Sequence, residues 1–187
     1  MRRRWPRKPR SRGRSLVDAL IFLAALALVA FGAERIGWLF PETGSFTAVD
    51  GDSLRKGEQD YRLHGIDAPE LHQSCTGADG RDYPCGRMAR DELRRLVNAS
   101  ALDCAVRDTD RYGRRVVTCR AGDMDINAEM VRRGWAIAYR RHGTAYAEAE
   151  KEARAARRGI WQGDFETPER WRETQRRGLT RGALAED

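Results

Sequence analysis

The sequence predicts an α+β domain, in which five short strands and three helices form a small barrel behind an N-terminal hydrophobic segment. Three observations support this class. Polar and apolar residues alternate between turn signals at 46–70. Three later segments have helical periodicity or alanine spacing. A length of 187 residues leaves room for one domain with an additional arm or tail.

A basic arm, residues 1–14, begins the chain and holds eight of its 35 Lys and Arg residues and no acid. Residues 15–187 therefore contain 27 basic and 28 acidic residues. The folded part has no broad positive charge that would attract a polyanion, so phosphate recognition there must be local. The arm itself is an alternative nucleic-acid-binding tail.

Residues 15–40 form the predicted hydrophobic segment, with no charge between residues 19 and 33. A basic region followed by an apolar run is typical of export signals. We favour an uncleaved signal-anchor, which would hold the domain at the inner membrane, facing the periplasm or the cell exterior. The alternative is a signal peptide cleaved near residues 30–32, which would give a secreted protein.

Residues 46–70 form the predicted β-meander, which follows a linker at 41–45 and opens a domain at 46–172. Asp-Gly and Lys-Gly turns separate its strands, and Pro69 ends the last strand because it lacks an N–H donor. The predicted strands cover residues 46–49, 52–55 and 59–66.

Four carboxylates fall at the ends of these strands: Asp50, Asp52, Asp67 and Glu70. Carboxylates gathered in this way repel one another unless a positive group lies between them. A hard divalent cation with oxygen ligands, Ca²⁺ above all, would meet that need, and Arg62 would neutralise the remaining charge.

The rest of the domain alternates helices with one hairpin. Helices are predicted at 86–98, at 126–134 and at 145–158, the last capped by Thr144 and ended by Gly159. Hairpin strands are predicted at 101–106 and 115–120, and 135–139 is an apolar core segment. Residues 173–187 are predicted to be a disordered tail.

All four cysteines lie in the domain, at positions 75, 85, 104 and 119. No Cys-x-x-Cys spacing supports a zinc site, and three pairings are possible. Cys104 and Cys119 are equidistant from the hairpin turn, which places them opposite each other and favours a disulfide. Cys75 would then pair with Cys85.

Three segments, VDGDS, YRLHGIDAPE and DRYGR, occur in this order and together resemble the staphylococcal nuclease-like (thermonuclease) domain. The resemblance covers residues 46–161. It implies an OB-type five-stranded Greek-key barrel with three packed helices. It also implies a Ca²⁺-dependent phosphodiesterase, an endonuclease that hydrolyses DNA and RNA with little sequence preference and leaves 3′-phosphates.

The resemblance assigns roles to residues of the meander. Asp52, Asp67 and the backbone carbonyl of Ala68 would bind Ca²⁺, and Asp50 would orient metal-bound water. Glu70 would be the general base that activates the attacking water. The family commonly has Thr where this chain has Ala68, but a carbonyl ligand does not depend on the side chain.

Further roles fall on the arginines and tyrosines. Arg62 and Arg114 would hold the scissile phosphate with bidentate, permanently charged donors. Arg111 and Tyr112 would contact a neighbouring phosphate, and Tyr139 would stack on a base or sugar.

The alternative function is a catalytically silent domain that binds nucleic acid or a protein partner. Arg62, Glu70 and Arg114 are all present, which favours the enzyme. The sequence contains no signal for a protein partner or for oligomerisation, so we expect a monomer.

Overall fold

The computed structural model of this chain describes residues 12–36, 41–140 and 143–183. The chain divides into two units, residues 1–40 and 41–187. In the first unit, helix α1 (Arg12–Ile36) exposes its side chains from residue 17 to residue 29. Within the described residues, no helix combines the length and apolarity that membrane crossing requires. Most of the basic arm and residues 37–40 lie outside the described residues.

The second unit starts with one short strand, continues with the predicted meander and then adds another short strand. The strands are β1 (Glu42–Gly44), β2 (Thr47–Ala48), β3 (Ser53–Lys56), β4 (Gln59–Leu63) and β5 (Ile66–Asp67). The predicted strand at 59–66 is interrupted because Gly65 adopts a φ of 75°, which favours glycine. This break turns β5 out of the main sheet to pair with a later strand at Ile137–Ala138.

The later elements surround one hairpin. They are β6 (Cys75–Thr76), β7 (Asp82–Tyr83), α2 (Cys85–Asn98), β8 (Leu102–Thr109), β9 (Arg115–Ala121), β10 (Met124–Asp125), α3 (Ile126–Arg132), β11 (Ile137–Ala138), α4 (Ala147–Ala155), a 3-10 helix (Gly159–Gln162) and α5 (Pro168–Ala183). Helices α2 and α3 and the hairpin therefore lie where the sequence predicts them.

The main sheet has the strand order β1-β8-β9-β4-β3-β2, with β10 added to β9. The sheet curls into a half-barrel. Strand β4 pairs in parallel with β9, whereas all other strand pairs of this sheet are antiparallel. The α+β class is confirmed, and a meander joined in parallel to a hairpin is consistent with the OB-like fold. The sheet exceeds the five predicted strands because β1 and β10 extend it.

The core lies between this sheet and the helices. Ala89, Leu93, Leu96 and Val97, the predicted apolar face of α2, are all buried. They pack in one cluster with sheet residues that include Leu54 and Val117. Full burial of each large apolar side chain contributes about 1.5–3 kcal/mol, so this cluster fixes the strands that end at the meander carboxylates.

Three predicted segments differ from the structure. Residues 41–45, predicted as a linker, contain β1, which pairs with β8. The Glu42 side chain also forms ion pairs with Arg115 and Lys56. The predicted cap Thr144 supplies only its carbonyl to the N–H of Ala147, and α4 begins after Tyr146 without a side-chain cap.

The third difference is the tail. Helix α5 continues through residues 173–183, where the sequence predicts disorder. Pro168 suits a first helical turn because that turn needs no N–H donor there. The side chain of Arg172 bonds to carboxylates of the domain, a long-range contact that local sequence patterns do not reveal.

Both predicted disulfides are confirmed: Cys75 pairs with Cys85, and Cys104 pairs with Cys119. Cys104 and Cys119 are directly opposite in the register of β8 and β9. The first disulfide closes the loop that carries β6 and β7, and its cysteines pack with Ile160 in a second apolar cluster.

We predict that the double substitution Cys104→Ala with Cys119→Ala lowers the free energy of unfolding by about 3 kcal/mol, because it releases a loop of 15 residues. Urea denaturation without reductant measures this change. Cys75→Ala with Cys85→Ala opens a shorter loop of 10 residues and should cost slightly less. Equal stability of the wild-type chain and the first variant would contradict the prediction.

Candidate active site

A cleft of about 960 Å³ opens where the meander, the β8–β9 hairpin and α5 meet. The predicted site residues that line it are Asp50, Arg62, Glu70, Arg111, Tyr112, Arg114 and Tyr139. Arg172 of α5, which the sequence analysis did not single out, lines it as well. The structure therefore brings residues from three distant parts of the sequence to one surface.

Arg62 bridges two buried carboxylates beside this cleft. Its Nη1 donates to Asp52 Oδ1 at 2.7 Å, and its Nη2 donates to Asp67 Oδ1 at 2.9 Å. Asp52 and Asp67 are only 3% and 1% exposed. The register of β3 and β4 places Arg62 opposite Ser53, next to Asp52, so strand pairing sets this contact.

Backbone contacts fix the remaining oxygens of Asp52. The N–H of Ala68 donates to Asp52 Oδ2 at 2.9 Å, which ties β5 to the start of β3. The Asp52 N–H donates to Asp50 Oδ1 at 2.9 Å, so the Asp50 carboxylate closes the turn between β2 and β3. This contact orients Asp50 at the edge of the cleft.

Burial raises the pKa of Asp52 from its ordinary value of 3.8 to about 7. Arg62 and the Ala68 N–H oppose the shift, while the carboxylates of Asp50 and Asp67 add to it. A cation that bound Asp52 would have to displace this proton, and its positive charge would lower the pKa of Asp52 by stabilising the ionised form.

Two residues that the sequence analysis did not single out position Glu70. The N–H of Glu70 donates to Gln73 Oε1 at 3.1 Å, and the Gln73 side chain donates in turn to the carbonyl of Glu166 at 2.6 Å. A side chain at Gly86 would lie 1.7 Å from the Glu70 carbonyl oxygen, so only glycine allows α2 to begin there. The sequence around 86 reads as an ordinary helix and gives no signal of this approach.

Arg172 contacts Glu70 and Asp67 at once. Its Nη1 donates to Glu70 Oε1 at 2.7 Å and to Asp67 Oδ1 at 3.0 Å, and its Nη2 donates to Asp67 Oδ2 at 3.0 Å. These contacts join residues about a hundred positions apart. Helix α5 is thereby attached to the two predicted functional carboxylates.

A compact turn holds the second predicted cluster. Asp110 Oδ1 accepts hydrogen bonds from the N–H groups of Tyr112 and Arg114, and Asp110 Oδ2 accepts one from Arg114 Nε at 2.8 Å. Burial opposes ionisation, but these hydrogen bonds hold the pKa of Asp110 below its ordinary value. Asp110 therefore positions Arg114 as a permanently charged donor on the cleft.

Aromatic contacts complete the hairpin end of the cleft. The guanidinium groups of Arg111 and Arg114 lie 4.8 and 5.6 Å from the ring centre of Tyr112, within cation–π range. Tyr139 follows β11, and its N–H donates to the carbonyl of Gly65 at 2.8 Å. Pairing of β11 with β5 thus places Tyr139 beside the meander.

The oxygen donors fit a hard divalent cation better than a transition metal, because Asp52, Asp67 and the Ala68 carbonyl are all hard ligands. The N–H of Ala68 bonds to Asp52, which holds this residue beside that carboxylate. Ala68 also directly follows Asp67, so its carbonyl lies in the same short segment as the second carboxylate. Over the described residues, no three His, Cys, Asp or Glu side chains gather into a metal site by themselves. A cation here would therefore need the backbone carbonyl or water as further ligands.

Residues 60–163 match the family described as Staphylococcal nuclease homologue. The chain is 34% identical over 118 residues to "Probable staphylococcal-like nuclease CAN3" from Oryza sativa subsp. japonica, a match that covers 62% of this chain and 29% of that protein. It is 30% identical over 144 residues to "Probable endonuclease LCL3" from Schizophyllum commune, covering 67% of this chain and 48% of that protein. With "Protein ParB" from Escherichia coli it shares 31% identity over 167 residues, which are 80% of this chain and 89% of that protein. The chain thus spans less than half the length of the plant and fungal relatives.

We predict that Asp52→Asn makes the cation-free protein more stable, relative to the wild type, as pH rises from about 4 to about 8. The folded wild type keeps the Asp52 proton to a pH of about 7, whereas the unfolded chain loses it near 3.8. Protonated Asp52 therefore gives the folded wild type its full stabilisation below a pH of 3.8, and this stabilisation is lost as the pH rises through about 7. Urea denaturation in the presence of chelator should show a change of more than about 1 kcal/mol.

Asp79→Asn is the matched control, because the Asp79 side chain is 60% exposed. Its effect on the free energy of unfolding should be small beside that of Asp52→Asn, because no buried carboxylate is changed. If Asp52→Asn behaves like this control, burial does not raise the pKa of Asp52 in the folded protein.

Proposed function

The chain belongs to the staphylococcal nuclease homologue family, and we propose that it is an endonuclease that hydrolyses DNA and RNA in a Ca²⁺-dependent reaction. One observation supports this most directly. Arg62 links the buried carboxylates of Asp52 and Asp67 beside a cleft that also presents Glu70 and Arg114. The plant and fungal relatives that are named as nucleases agree with this class of reaction.

The proposed roles follow from the charges on the cleft. Arg62 and Arg114 bind the scissile phosphate, and the carboxylate of Glu70 accepts a proton from the attacking water. Ca²⁺, held by Asp52, Asp67 and the Ala68 carbonyl, would supply positive charge that stabilises the additional negative charge of the transition state. Arg111, Tyr112 and Tyr139 contact the substrate on either side of the reacting phosphate.

Low sequence specificity follows from the same contacts. Guanidinium groups recognise phosphate, which is the same in every nucleotide, and a tyrosine ring stacks on any base. We therefore expect both DNA and RNA to be substrates, and a single chain to be sufficient for activity.

A second candidate function is binding of nucleic acid without hydrolysis. One observation favours it: Arg172 already forms a 2.7 Å hydrogen bond to Glu70, the proposed general base. The measurement of Glu70→Gln described below distinguishes the two functions.

We also propose that the chain is exported, with the domain in the periplasm or outside the cell. The two disulfides support an oxidising compartment, and a basic arm precedes the uncharged run at 19–33. An uncleaved segment would keep the domain at the inner membrane, and cleavage would release it.

We predict that Glu70→Gln lowers kcat by about 10²-fold or more, because the amide cannot accept the proton from water. Cleavage of single-stranded DNA and of RNA by the disulfide-bonded chain in saturating Ca²⁺ measures this effect. Glu148→Gln is the matched control, since Glu148 is 82% exposed on α4, and it should retain wild-type activity. Intact nucleic acid in the presence of folded wild-type protein would leave binding as the function.

For export, we expect protease added to spheroplasts to digest any retained domain, and the culture medium or periplasm to contain a released one. Both forms should have no free thiols, because the two disulfides include all four cysteines. A domain that resists protease until the cells are lysed, with alkylatable cysteines, would contradict export.

A further inference from the structure

Over residues 168–178, helix α5 buries little of its surface. Pro168 is buried and Trp171 and Arg172 are half-buried, whereas residues 173–178 are all exposed. Gly178 lies in the helix interior with open space around it, and glycine lowers helix stability. A helix with so little buried surface can separate from the domain at low cost.

The Arg172 side chain joins α5 to the proposed catalytic carboxylates. An ionised carboxylate has about four acceptor positions on its two oxygens. On Asp67, Arg62 Nη2 and Arg172 Nη1 both donate to Oδ1, and Arg172 Nη2 donates to Oδ2. Guanidinium donors therefore occupy three of these positions.

Arg172 also occupies Glu70 Oε1. Its positive charge is thus within hydrogen-bond distance of both carboxylates, where it would repel a divalent cation bound to Asp67. Arg62 also contacts Asp67 but belongs to a paired strand of the sheet, whereas Arg172 belongs to a sparsely packed helix. Of these two arginines, Arg172 is the one that can leave.

We propose that α5 is an autoinhibitory latch, in which Arg172 occupies Asp67 and Glu70 until a divalent cation displaces it. The proposal rests on the proposed function, because it assumes that Asp67 binds the cation and that Glu70 is the base. Docking of α5 and binding of the cation are then mutually antagonistic. Nucleic acid in the cleft would further favour release of Arg172 from Asp67 and Glu70, because the phosphates of the nucleic acid would attract the guanidinium.

Calorimetric titration of Ca²⁺ into the disulfide-bonded 187-residue chain tests the latch without measuring activity. Arg172→Gln should tighten Ca²⁺ binding by about tenfold or more, since it removes a competing charge from Asp67. Arg172→Lys keeps the charge but loses the paired donors, so its affinity should fall between the two. Near-ultraviolet circular dichroism verifies that each variant is folded.

Arg177→Gln is the matched control on the same helix. The Arg177 side chain is 76% exposed and pairs with Glu173 within α5, so this variant should bind Ca²⁺ like the wild type. Hydrogen exchange of the α5 amides gives a second measurement. Saturating Ca²⁺ should speed this exchange in the wild type, and Arg172→Gln should exchange fast even without Ca²⁺.

The outcomes separate the latch from the proposed function. Equal Ca²⁺ affinities for the wild type and Arg172→Gln, or weaker binding by the variant, would overturn the latch and leave the cation site in place. Absence of Ca²⁺ binding to both proteins would overturn the latch together with the proposed Ca²⁺ dependence. Unchanged α5 exchange in saturating Ca²⁺ would show that the helix stays docked and would also overturn the latch.

Discussion

The contact between Arg62 and the two buried carboxylates of Asp52 and Asp67 is the interaction on which the site depends. Removing charges from water costs several kcal/mol for each ion unless partners compensate, and both aspartates are almost fully buried. Arg62 compensates from β4, while the Ala68 N–H compensates from the segment after β5. The main sheet therefore has to hold β3 and β4 in register while β5 lies beside them, which the core beneath them and the break at Gly65 make possible.

The same requirement explains how distant segments serve the site. Parallel pairing places Val116 of β9 opposite Arg62, which brings the Asp110–Arg114 turn to the cleft. Gln73 connects Glu70 to residue 166, just before α5. The Cys75–Cys85 disulfide closes the loop that leads from this region to the start of α2. Helix α5 then adds a positive charge to a cluster that is rich in negative charge. If the latch operates, the protein's own guanidinium covers the carboxylates that are proposed to bind a divalent cation.

The meander and hairpin were predictable because their turn residues and alternation are local signals. Helix α2 and both disulfides were predictable for the same reason, and seven of the residues that the resemblance singled out line one cleft. The contributions of Gly86, Gln73 and Arg172 were not predictable, because each depends on a contact with a residue far away in the sequence or across a turn. Residues 173–183 look polar and disordered locally, yet α5 forms there beside the ion pairs of Arg172.

The most direct test of a cation-assisted site is the initial rate of single-stranded DNA cleavage as a function of free Ca²⁺, for the wild type and for Asp67→Asn. We expect the wild-type rate to rise with the concentration of free Ca²⁺ and to saturate. Asp67→Asn should need a Ca²⁺ concentration at least about tenfold higher to reach half of its maximal rate, because it loses one proposed ligand of the cation. A wild-type rate that is unchanged by chelator, or the same Ca²⁺ dependence in both proteins, would contradict the proposal that Asp67 helps to bind a divalent cation at this site.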